Sequence, residues 1–450
     1  MKISFLLKFS LLWIFLNLLF TSGVSAWSGH QMMVYPALKD HIAWGKAASV
    51  EAKNLRTFLV ETEKELVLFL AEQESWSRKN LPHYAACPDT LAFKATGNKE
   101  DILIRFLSAI RINPDSKIPL YLSLIPGKEE NSRMKISPTD LTTLKEVGFM
   151  EKITYVSLQE GELASPFQVL YTASDEPDYG FDLGLFTDNG TPYGRTYGFG
   201  NQPFGNPNLE YSSQAPFHMG FFHEAGILYT FGAFLKNTHL DYRIFLYKAL
   251  SEFAFHHHQP YWGWRFMGWG MHYVGDVSMP YHMKPLPGVS NTRMIWMSLK
   301  SMMGSPRAQD NAVQLVSNRH TAFEEFQSQV LLKALQQDDT PHPFLQALKN
   351  PEATMPFSYS FLLDYATAES ASRAKSADKI LEKNIPEKMV SDPSVEANNL
   401  PGVKDMVQYI MEEKGEKAVD NLTGMIAGQM RQFSMNVRSY MEAILASSDN

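Results

Sequence analysis

The segment Met271–His282, which reads MHYVGDVSMPYH, constrains the fold more than any other part of the chain. His272 and Asp276 lie four residues apart and therefore share one face of a helix. Pro280 ends or bends that helix, and His282 follows in the turn. Two imidazoles and a carboxylate at this spacing suit zinc, whereas a single His–Asp pair on a helix is common and usually structural. The segment therefore predicts a helix that carries metal ligands.

Helical periodicity dominates the remainder of the chain, and strand-like alternation is weak. Apolar spacing predicts helices over Val50–Trp76, Asp101–Ile112, Thr139–Met150, Tyr242–Phe255 and Trp264–Val277, and two more within Met406–Ala446. Strands are predicted only at Pro119–Leu124 and Lys152–Leu158. Turn-rich composition predicts loops over 173–216 and 280–293, and the polar stretch 370–404 predicts a partly mobile linker.

The first 26 residues have the composition of a secretory signal. Lys2 and Lys8 supply positive charge, Leu11–Phe20 supplies an apolar core, and Val24–Ala26 supplies small residues for cleavage. The pattern predicts a signal peptide at 1–26, a domain at 27–450, and a secreted or periplasmic protein. No later apolar run is long enough to predict a membrane span. The single cysteine excludes an intramolecular disulfide, so bound metal is one remaining source of stability.

Cleavage after Ala26 would make Trp27 the first residue of the mature chain. An α-amino group has a pKa near 8, so a metal can bind it at neutral pH, and the carbonyl of the same residue can close a chelate ring. His30 follows three residues later. The alternative is that Trp27 stands there by chance, because every exported protein has some first residue.

Three further sets of polar residues have candidate metal-binding character. His320 and Glu324 lie four residues apart in RHTAFEEF, a spacing that also occurs on solvated helix faces. Asp175 and Asp178 lie in SDEPDYG, where aspartates often cap helices or make turns. His218 follows in APFHMG. Each set is weak evidence for a metal site when it is taken alone.

Together the motifs resemble the zinc-dependent phospholipase C / P1-type nuclease superfamily. WSGHQMMV, which starts at Trp27, resembles the family's N-terminal Trp and the ligand His that follows it. DYGFD at Asp178, the later His218, HYVGDVSMPYH and HTAFEEF resemble its remaining motifs in the same order. Glu rather than Asp at position 324 is closer to the bacterial phospholipase C branch. The resemblance implies a mostly α multi-helix bundle around a trinuclear zinc site, with little β. The chain departs from compact members of the family by long insertions at about 85–170, 180–215 and 283–318.

The resemblance implies nine ligands for three zinc ions. The first zinc would be held by Asp178, His218, His272 and Asp276. The second would be held by the amino nitrogen and carbonyl oxygen of Trp27, by His30 and by a bridging Asp276. The third would be held by His282, His320 and Glu324. By the same resemblance, Asp178 doubles as the catalytic base that orients the attacking water.

Two assignments in this set have competitors. Asp175 competes with Asp178, because Asp175-Glu176 resembles the nuclease branch, whereas Pro177–Tyr179 fits the phospholipase pattern. Five other histidines compete with the predicted ligands and are interpreted as structural or surface groups: His41, His223 and His256–His258.

Three functions follow from the resemblance and the composition. The first is a phospholipase C that cleaves the glycerol–phosphate bond at a membrane surface, with lipid contact or core packing as the two interpretations of Tyr261, Trp262, Trp264 and Trp269. The second is a single-strand nuclease or nucleotidase. The net charge of −7 argues against a protein that binds nucleic acid over a broad surface. The third is a non-catalytic secreted zinc-binding protein. No protein partner is predicted.

Overall fold

The chain is mostly helical with little β structure in the computed structural model, which describes residues 29–45, 47–130, 132–207 and 209–448. The helices are α1 (His30–Leu38), α2 (Leu55–Asn80), α3 (Ile102–Ala109), α4 (Pro166–Ala173), α5 (Ala215–His218), α6 (Gly226–Phe231), α7 (Leu240–His256), α8 (Pro260–Asp276), α9 (Pro280–Met283), α10 (Asn291–Met302), α11 (Arg307–Gln336), α12 (Pro343–Lys349), α13 (Ala368–Asn384), α14 (Glu387–Val390), α15 (Met406–Lys414) and α16 (Glu416–Ser448). The predicted signal peptide lies outside the described residues.

Helix α8 is the centre of the bundle. Every residue from Tyr261 to Asp276 is buried, and the helix packs against α4, α7 and α16. Glycines allow this close packing: a Cβ on Gly268 would stand 2.6 Å from the Cβ of Ala173 on α4. The long helix α16 completes the bundle by packing on α1, α12 and α13 as well. A helix surrounded on all sides has no solvent face, so its polar residues must be satisfied inside the protein.

Two small antiparallel sheets flank α4. Strands β2 (Tyr121–Leu124), β4 (Thr154–Ser157) and β3 (Lys135–Ile136) form one sheet in the order β2-β4-β3, with Tyr121 opposite Ser157. Strands β1 (Val50–Glu51) and β5 (Leu163–Ala164) form the other. Ser123 of β2 donates its backbone N–H to Thr172 Oγ1 on α4 at 3.0 Å. This contact fixes the helix that leads into the Asp178 loop.

Most of the predicted elements are present, with shifted ends. The helices predicted at Asp101–Ile112, Tyr242–Phe255, Trp264–Val277 and Met406–Ala446 correspond to α3, α7, α8 and the pair α15 and α16. Val50–Trp76 divides into β1 and α2, and both predicted strands exist as β2 and β4. The regions 173–216 and 280–293 contain short helical turns within otherwise irregular chain, as predicted for loops.

Two predictions are wrong. The segment Thr139–Met150 contains only ends of the short 3₁₀ turns Pro138–Asp140 and Gly148–Lys152, because Gly148 adopts a positive φ of 48° and Thr143 N–H is bonded to Tyr179 O. The polar stretch 370–404 is not a linker, because it holds most of helix α13 together with α14. Helix α13 buries alanines such as Ala371 and Ala374 and packs on α16, so its polar residues cover the outside.

A buried histidine at the start of α7 gives the fold a predictable pH dependence. The ring of His239 lies among Phe186, Phe199 and Phe217, and burial, aided by Arg111 and Arg243, lowers its pKa to about 3. Below about pH 6.5 this histidine binds a proton in the unfolded chain but not in the folded chain. Its contribution to the free energy of unfolding is therefore fully present above that pH and is lost as the pH falls. The replacement His239→Phe is expected to reduce the slope of unfolding free energy against pH by about 1.4 kcal/mol per unit between these two values. Urea unfolding with chelator present, at a series of pH values, measures the slope.

The control for this prediction is His256→Asn, because His256 is exposed. This variant should keep the slope of the parent protein. Equal slopes for His239→Phe and the parent would show that His239 takes up its proton in the folded state.

Candidate metal centre

The loop that carries Asp178 is fixed to α8 at two points. It leaves α4 at Ser174 and forms a 3₁₀ turn over Glu176–Tyr179. Glu176 accepts hydrogen bonds from Arg265 at 2.7 and 3.1 Å and from the indole of Trp269. The Ser174 carbonyl accepts a 2.9 Å bond from His272 Nδ1. Because Arg265, Trp269 and His272 all lie on α8, the loop and the helix are held in one register.

Helix α8 and the turn after it supply three of the predicted ligands. His272 and Asp276 are separated by one helical turn and both are fully buried. The helix ends at Asp276, and α9 begins at Pro280, where proline is favoured in the first position of a helix. The N–H of Met279 bonds to Asp276 O at 2.9 Å, which closes the turn and brings His282 back toward the same side.

Asp276 is the central group of the cluster. Its carboxylate oxygens lie 3.0 Å from His218 Nδ1, 3.2 Å from His282 Nδ1, 3.5 Å from His272 Nε2 and 3.6 Å from His30 Nε2. These histidines come from four different helices: α5, α9, α8 and α1. One buried carboxylate therefore connects the positions predicted for all three metals.

His30 reaches the cluster because the facing residue on α8 has no side chain. A Cβ on Gly275 would stand 3.0 Å from His30 Cδ2 and 2.5 Å from the ring of Phe433 on α16. The rings of His30 and His272 are 4.0 Å apart between centroids. The glycine in the HYVGD motif thus has a local reason: it leaves room for the imidazole of α1.

The described residues contain three groups that could hold a metal ion, with ligand atoms within 4.8 Å of one another. Two of these groups share His272, and the third lies between α9 and α11. The groups are His30, His272 and Asp276; Asp178, His218 and His272; and His282, His320 and Glu324. They contain eight of the nine predicted ligands, and the ninth, Trp27, lies outside the described residues.

For two histidines, a hydrogen-bond partner outside the cluster determines which ring nitrogen carries the proton. His272 must carry its proton on Nδ1, since the Ser174 carbonyl can only accept. His218 Nε2 faces Asp182 at 3.5 Å, so His218 carries a proton on that nitrogen. In the neutral rings the two inner nitrogens, His218 Nδ1 and His272 Nε2, then both present lone pairs only 3.0 Å apart. Lone pairs at this distance require a proton or a cation near them.

The charges in the cluster also favour positive ions. Burial by itself would lower the pKa of His218 and of His282, but the neighbouring carboxylates raise these pKa values to about 10 and about 9. For His218 the carboxylates are those of Asp182, Asp276 and Asp178. No Lys or Arg among the described residues forms an ion pair with Asp178, Asp276 or Glu324. Three buried carboxylates without basic partners are costly unless cations or protons neutralise them.

The third group is the most accessible part of the cluster. Glu324 Oε1 lies 2.7 Å from His320 Nε2 and 3.6 Å from His282 Nε2. The side chains of His320 and Glu324 are 16% and 10% exposed, whereas those of Asp178, His218, His272 and Asp276 are at most 4% exposed. Tyr281 stacks on His320 with ring centroids 5.5 Å apart. The atoms His320 Nε2 and Glu324 Oε1 are themselves buried, so only the outer parts of these two side chains reach solvent.

The competing assignments lie elsewhere. Asp175 accepts a 3.0 Å bond from the N–H of Gln31 and belongs to none of the three groups, and burial raises its pKa to about 7. His41 contacts Glu442, and His223 bonds to Thr367 Oγ1. His256–His258 lie at the end of α7, and none of these histidines belongs to a group within the described residues. The interpretation of Tyr261, Trp262, Trp264 and Trp269 as lipid contacts is wrong, because all four are buried in the core.

Sequence reasoning missed the residue that orients His218. Asp182 is fully buried between His218, the hydroxyl of Tyr273 at 2.6 Å and the guanidinium of Arg243, whose Nε lies at 2.9 Å. Burial acts to raise the pKa of Asp182, but Arg243, His218 and Tyr273 together outweigh burial and leave the pKa below its usual value. A carboxylate behind a ligand histidine is a common arrangement at metal sites. In the sequence, Asp182 follows Asp178 by four residues in DYGFD, but nothing in that motif distinguishes it from a turn aspartate.

The fold brings the candidate ligands together from distant parts of the chain, and comparison with known proteins identifies no relative of this chain. No family model, curated protein or solved structure matches this chain.

Proposed function

We propose that the protein is a secreted, zinc-dependent phosphodiester hydrolase of the phospholipase C type, which cleaves the glycerol–phosphate bond of phospholipids. The observation that carries the proposal is the convergence of three carboxylates and five imidazoles in one buried cluster centred on Asp276. Mixed nitrogen and oxygen donors in groups of three or four suit zinc. The resemblance of the sequence motifs supports three ions, and Glu324 supports the phospholipase branch.

Three zinc ions in this cluster would supply activated water and would neutralise the charge that develops on the phosphate oxygens. The residues of the chain contribute position and proton transfer. His218 and His272 are oriented by Asp182 and by the Ser174 carbonyl, so their inner nitrogens keep a fixed direction. In this proposal Asp178 orients the attacking water and accepts its proton. In this proposal the phosphate approaches from the side of His320 and Glu324, whose side chains are the least buried of the eight candidate ligands.

The role of Asp178 is tested by Asp178→Asn in the full chain. We expect this variant to keep zinc, because His218, His272 and Asp276 remain as ligands of the first proposed ion. It should lose turnover of phosphatidylcholine by at least about 100-fold, the contribution of a positioned general base. Zinc is counted by elemental mass spectrometry, and turnover is followed as release of phosphocholine. Normal turnover by a variant that still binds three zinc ions would refute the catalytic role.

Asp175→Asn is the matched control, because Asp175 lies three residues away and is also buried. It should keep both zinc and activity within a few-fold of the parent. Loss of zinc and turnover from Asp175→Asn, with full zinc and full turnover in Asp178→Asn, would reverse the assignment of the two aspartates.

Substrate class is tested by offering phosphatidylcholine and single-stranded DNA side by side to the zinc-loaded protein. Cleavage of the lipid supports the proposal. Cleavage of DNA alone would replace it with the nuclease alternative, and bound zinc without hydrolysis of either substrate would favour a non-catalytic zinc-binding protein.

A further inference from the structure

A patch of exposed apolar side chains lies on two short elements next to the metal centre. Helix α10 and the residue that follows it present Trp296, Leu299 and Met303 at intervals of three and four residues, which places them on one side. They are 50%, 42% and 76% exposed, and the neighbouring Met302 is 66% exposed. We call this patch, together with its continuation on α6, the α6–α10 surface.

The continuation on α6 has the same character. Ile227 and Phe231, four residues apart on α6, are 51% and 36% exposed, and Phe234 in the following 3₁₀ turn is 43% exposed. Helices α6 and α10 contact each other. Half of the large apolar side chains that the described residues expose therefore lie in these two segments. Exposed apolar patches of this kind usually mark a surface that binds something.

The α6–α10 surface is held by a small core of its own. Leu228 of α6, Met294 and Met297 of α10, and Ala312 of α11 form a buried cluster that is separate from the main core. The inner faces of the two helices are thus occupied. The exposed side chains lie outside this buried cluster, so the surface is not the outside of a poorly packed region.

The charge of the surface is opposite to that of the whole protein. The segments 225–240 and 285–309 contain four basic residues and no Asp or Glu, in a chain with a net charge of −7. These basic residues are Lys236, Arg293, Lys300 and Arg307. Lys300 lies over the ring of Trp296 at 4.0 Å, and Lys236 lies over the ring of Tyr229 at 4.7 Å. In the part of the chain that the structure describes, none of the four forms an ion pair.

The surface is connected directly to the ligand-bearing elements. Segment 219–225 follows His218 and leads into α6, while segment 284–290 follows His282 and leads into α10. The two segments are joined by a 2.8 Å bond from Gly220 N to His282 O and by a 2.7 Å bond from Lys284 Nζ to His223 O. Helix α11, which carries His320 and Glu324, begins four residues after Met303.

We infer that the α6–α10 surface docks the protein on the surface of a lipid bilayer that contains anionic phospholipids, and so holds the metal centre next to its lipid substrate. Exposed Trp, Phe, Leu and Met side chains between lysines and arginines match the interface of such a membrane, where apolar groups enter the headgroup region and basic groups attract anionic lipids. This inference deepens the proposed function and rests on it for the choice of lipid as the bound surface.

The test is sedimentation of the full chain with vesicles of phosphatidylcholine, with and without phosphatidylglycerol, in the cold, where lipid turnover is slow. We expect binding to the mixed vesicles that weakens with added salt. Since each basic side chain near an anionic surface contributes roughly fivefold to the binding constant, the double variant Arg293→Glu, Lys300→Glu should weaken binding by more than about 20-fold. Trp296→Ser with Leu299→Ser should weaken it by roughly tenfold or more.

Matched controls come from exposed residues far away in the sequence. Leu68→Ser on α2 and Lys417→Glu on α16 remove an exposed apolar group and a basic group, and both should bind vesicles like the parent. All variants should hydrolyse a dispersed short-chain phosphatidylcholine at the parent rate, which also verifies that they are folded.

The outcomes separate docking from catalysis. Vesicle binding that depends on the α6–α10 surface, without hydrolysis of any lipid, would support docking and refute the phospholipase function. Hydrolysis of vesicles at equal rates by the parent and both double variants would refute docking and leave the function intact. A concentration-dependent dimer that Trp296→Ser with Leu299→Ser abolishes, in a protein that does not bind vesicles, would also overturn the inference.

Discussion

Replacing Asp276 by asparagine is expected to lower hydrolysis by more than about 100-fold and to release two of the three proposed zinc ions. Its carboxylate lies within 3.6 Å of four histidines on four helices. The variant therefore loses the negative charge at the centre of these histidines. Substitution of groups behind the ligands typically costs 10- to 100-fold in metal affinity or activity, so loss of a bridging ligand should cost about 100-fold or more. Zinc content and phosphocholine release measure the two effects.

Glu324→Gln is the comparison that makes the Asp276 result specific. Glu324 belongs to only one of the three groups, so this variant should lose at most one zinc ion. Circular dichroism of both variants shows whether the helices are retained. If Asp276→Asn keeps as much zinc as the parent protein, Asp276 does not have the bridging position that we propose.

Replacing Arg243 by methionine is expected to give the largest loss of stability, about 3–5 kcal/mol in the free energy of unfolding. Arg243 and Asp182 are both fully buried, and the guanidinium donates to Asp182 Oδ1 at 2.6 and 2.9 Å. It also donates to the carbonyl oxygens of Ile110 at 2.8 Å and Arg111 at 2.7 Å. Without Arg243, the buried carboxylate of Asp182 loses its cationic partner and keeps only Tyr273 and His218, and the two carbonyls each lose a donor. Removing one partner of a buried pair costs far more than the pair itself contributes.

Urea unfolding at neutral pH with chelator present measures this change without a contribution from bound metal. The control is Lys349→Met, because Lys349 and Asp40 form an exposed pair at 3.5 Å. Exposed pairs contribute roughly 0–1 kcal/mol, so the control should remain close to the parent. A loss below about 1 kcal/mol for Arg243→Met would mean that water reaches Asp182 after the substitution.

The sequence predicted the ligand-bearing parts of the fold because their signals are local. His272 and Asp276 share a helix face by spacing alone, and Pro280 marks the end of that helix. The helices α7, α8, α15 and α16 follow from apolar periodicity. The meeting of α1, α5, α8 and α11 at one point was not readable from periodicity. Only the resemblance of the motifs predicted that these residues would lie together.

The errors have a common physical origin, since in each case the tertiary environment decided the outcome. The stretch 370–404 is polar by composition, yet a few buried alanines are enough to dock α13 on α16. The aromatic residues of α8 were open to two interpretations because amphipathicity is absent from a helix that is buried on every side. Asp182 has no local signal that distinguishes it from a turn aspartate, and its role depends on Arg243, which is far away in the sequence.

The gathering of donor atoms from α1 through α11 has a consequence for biosynthesis. His30 lies near the beginning of the chain and Glu324 lies beyond its middle, so a nascent polypeptide that ends before Arg307 has no third group to offer. Complete assembly of the centre must therefore follow synthesis of most of the polypeptide. In the proposed zinc protein, a full complement of ions would require that α1 and α11, which are far apart in the sequence, have folded against the same cluster.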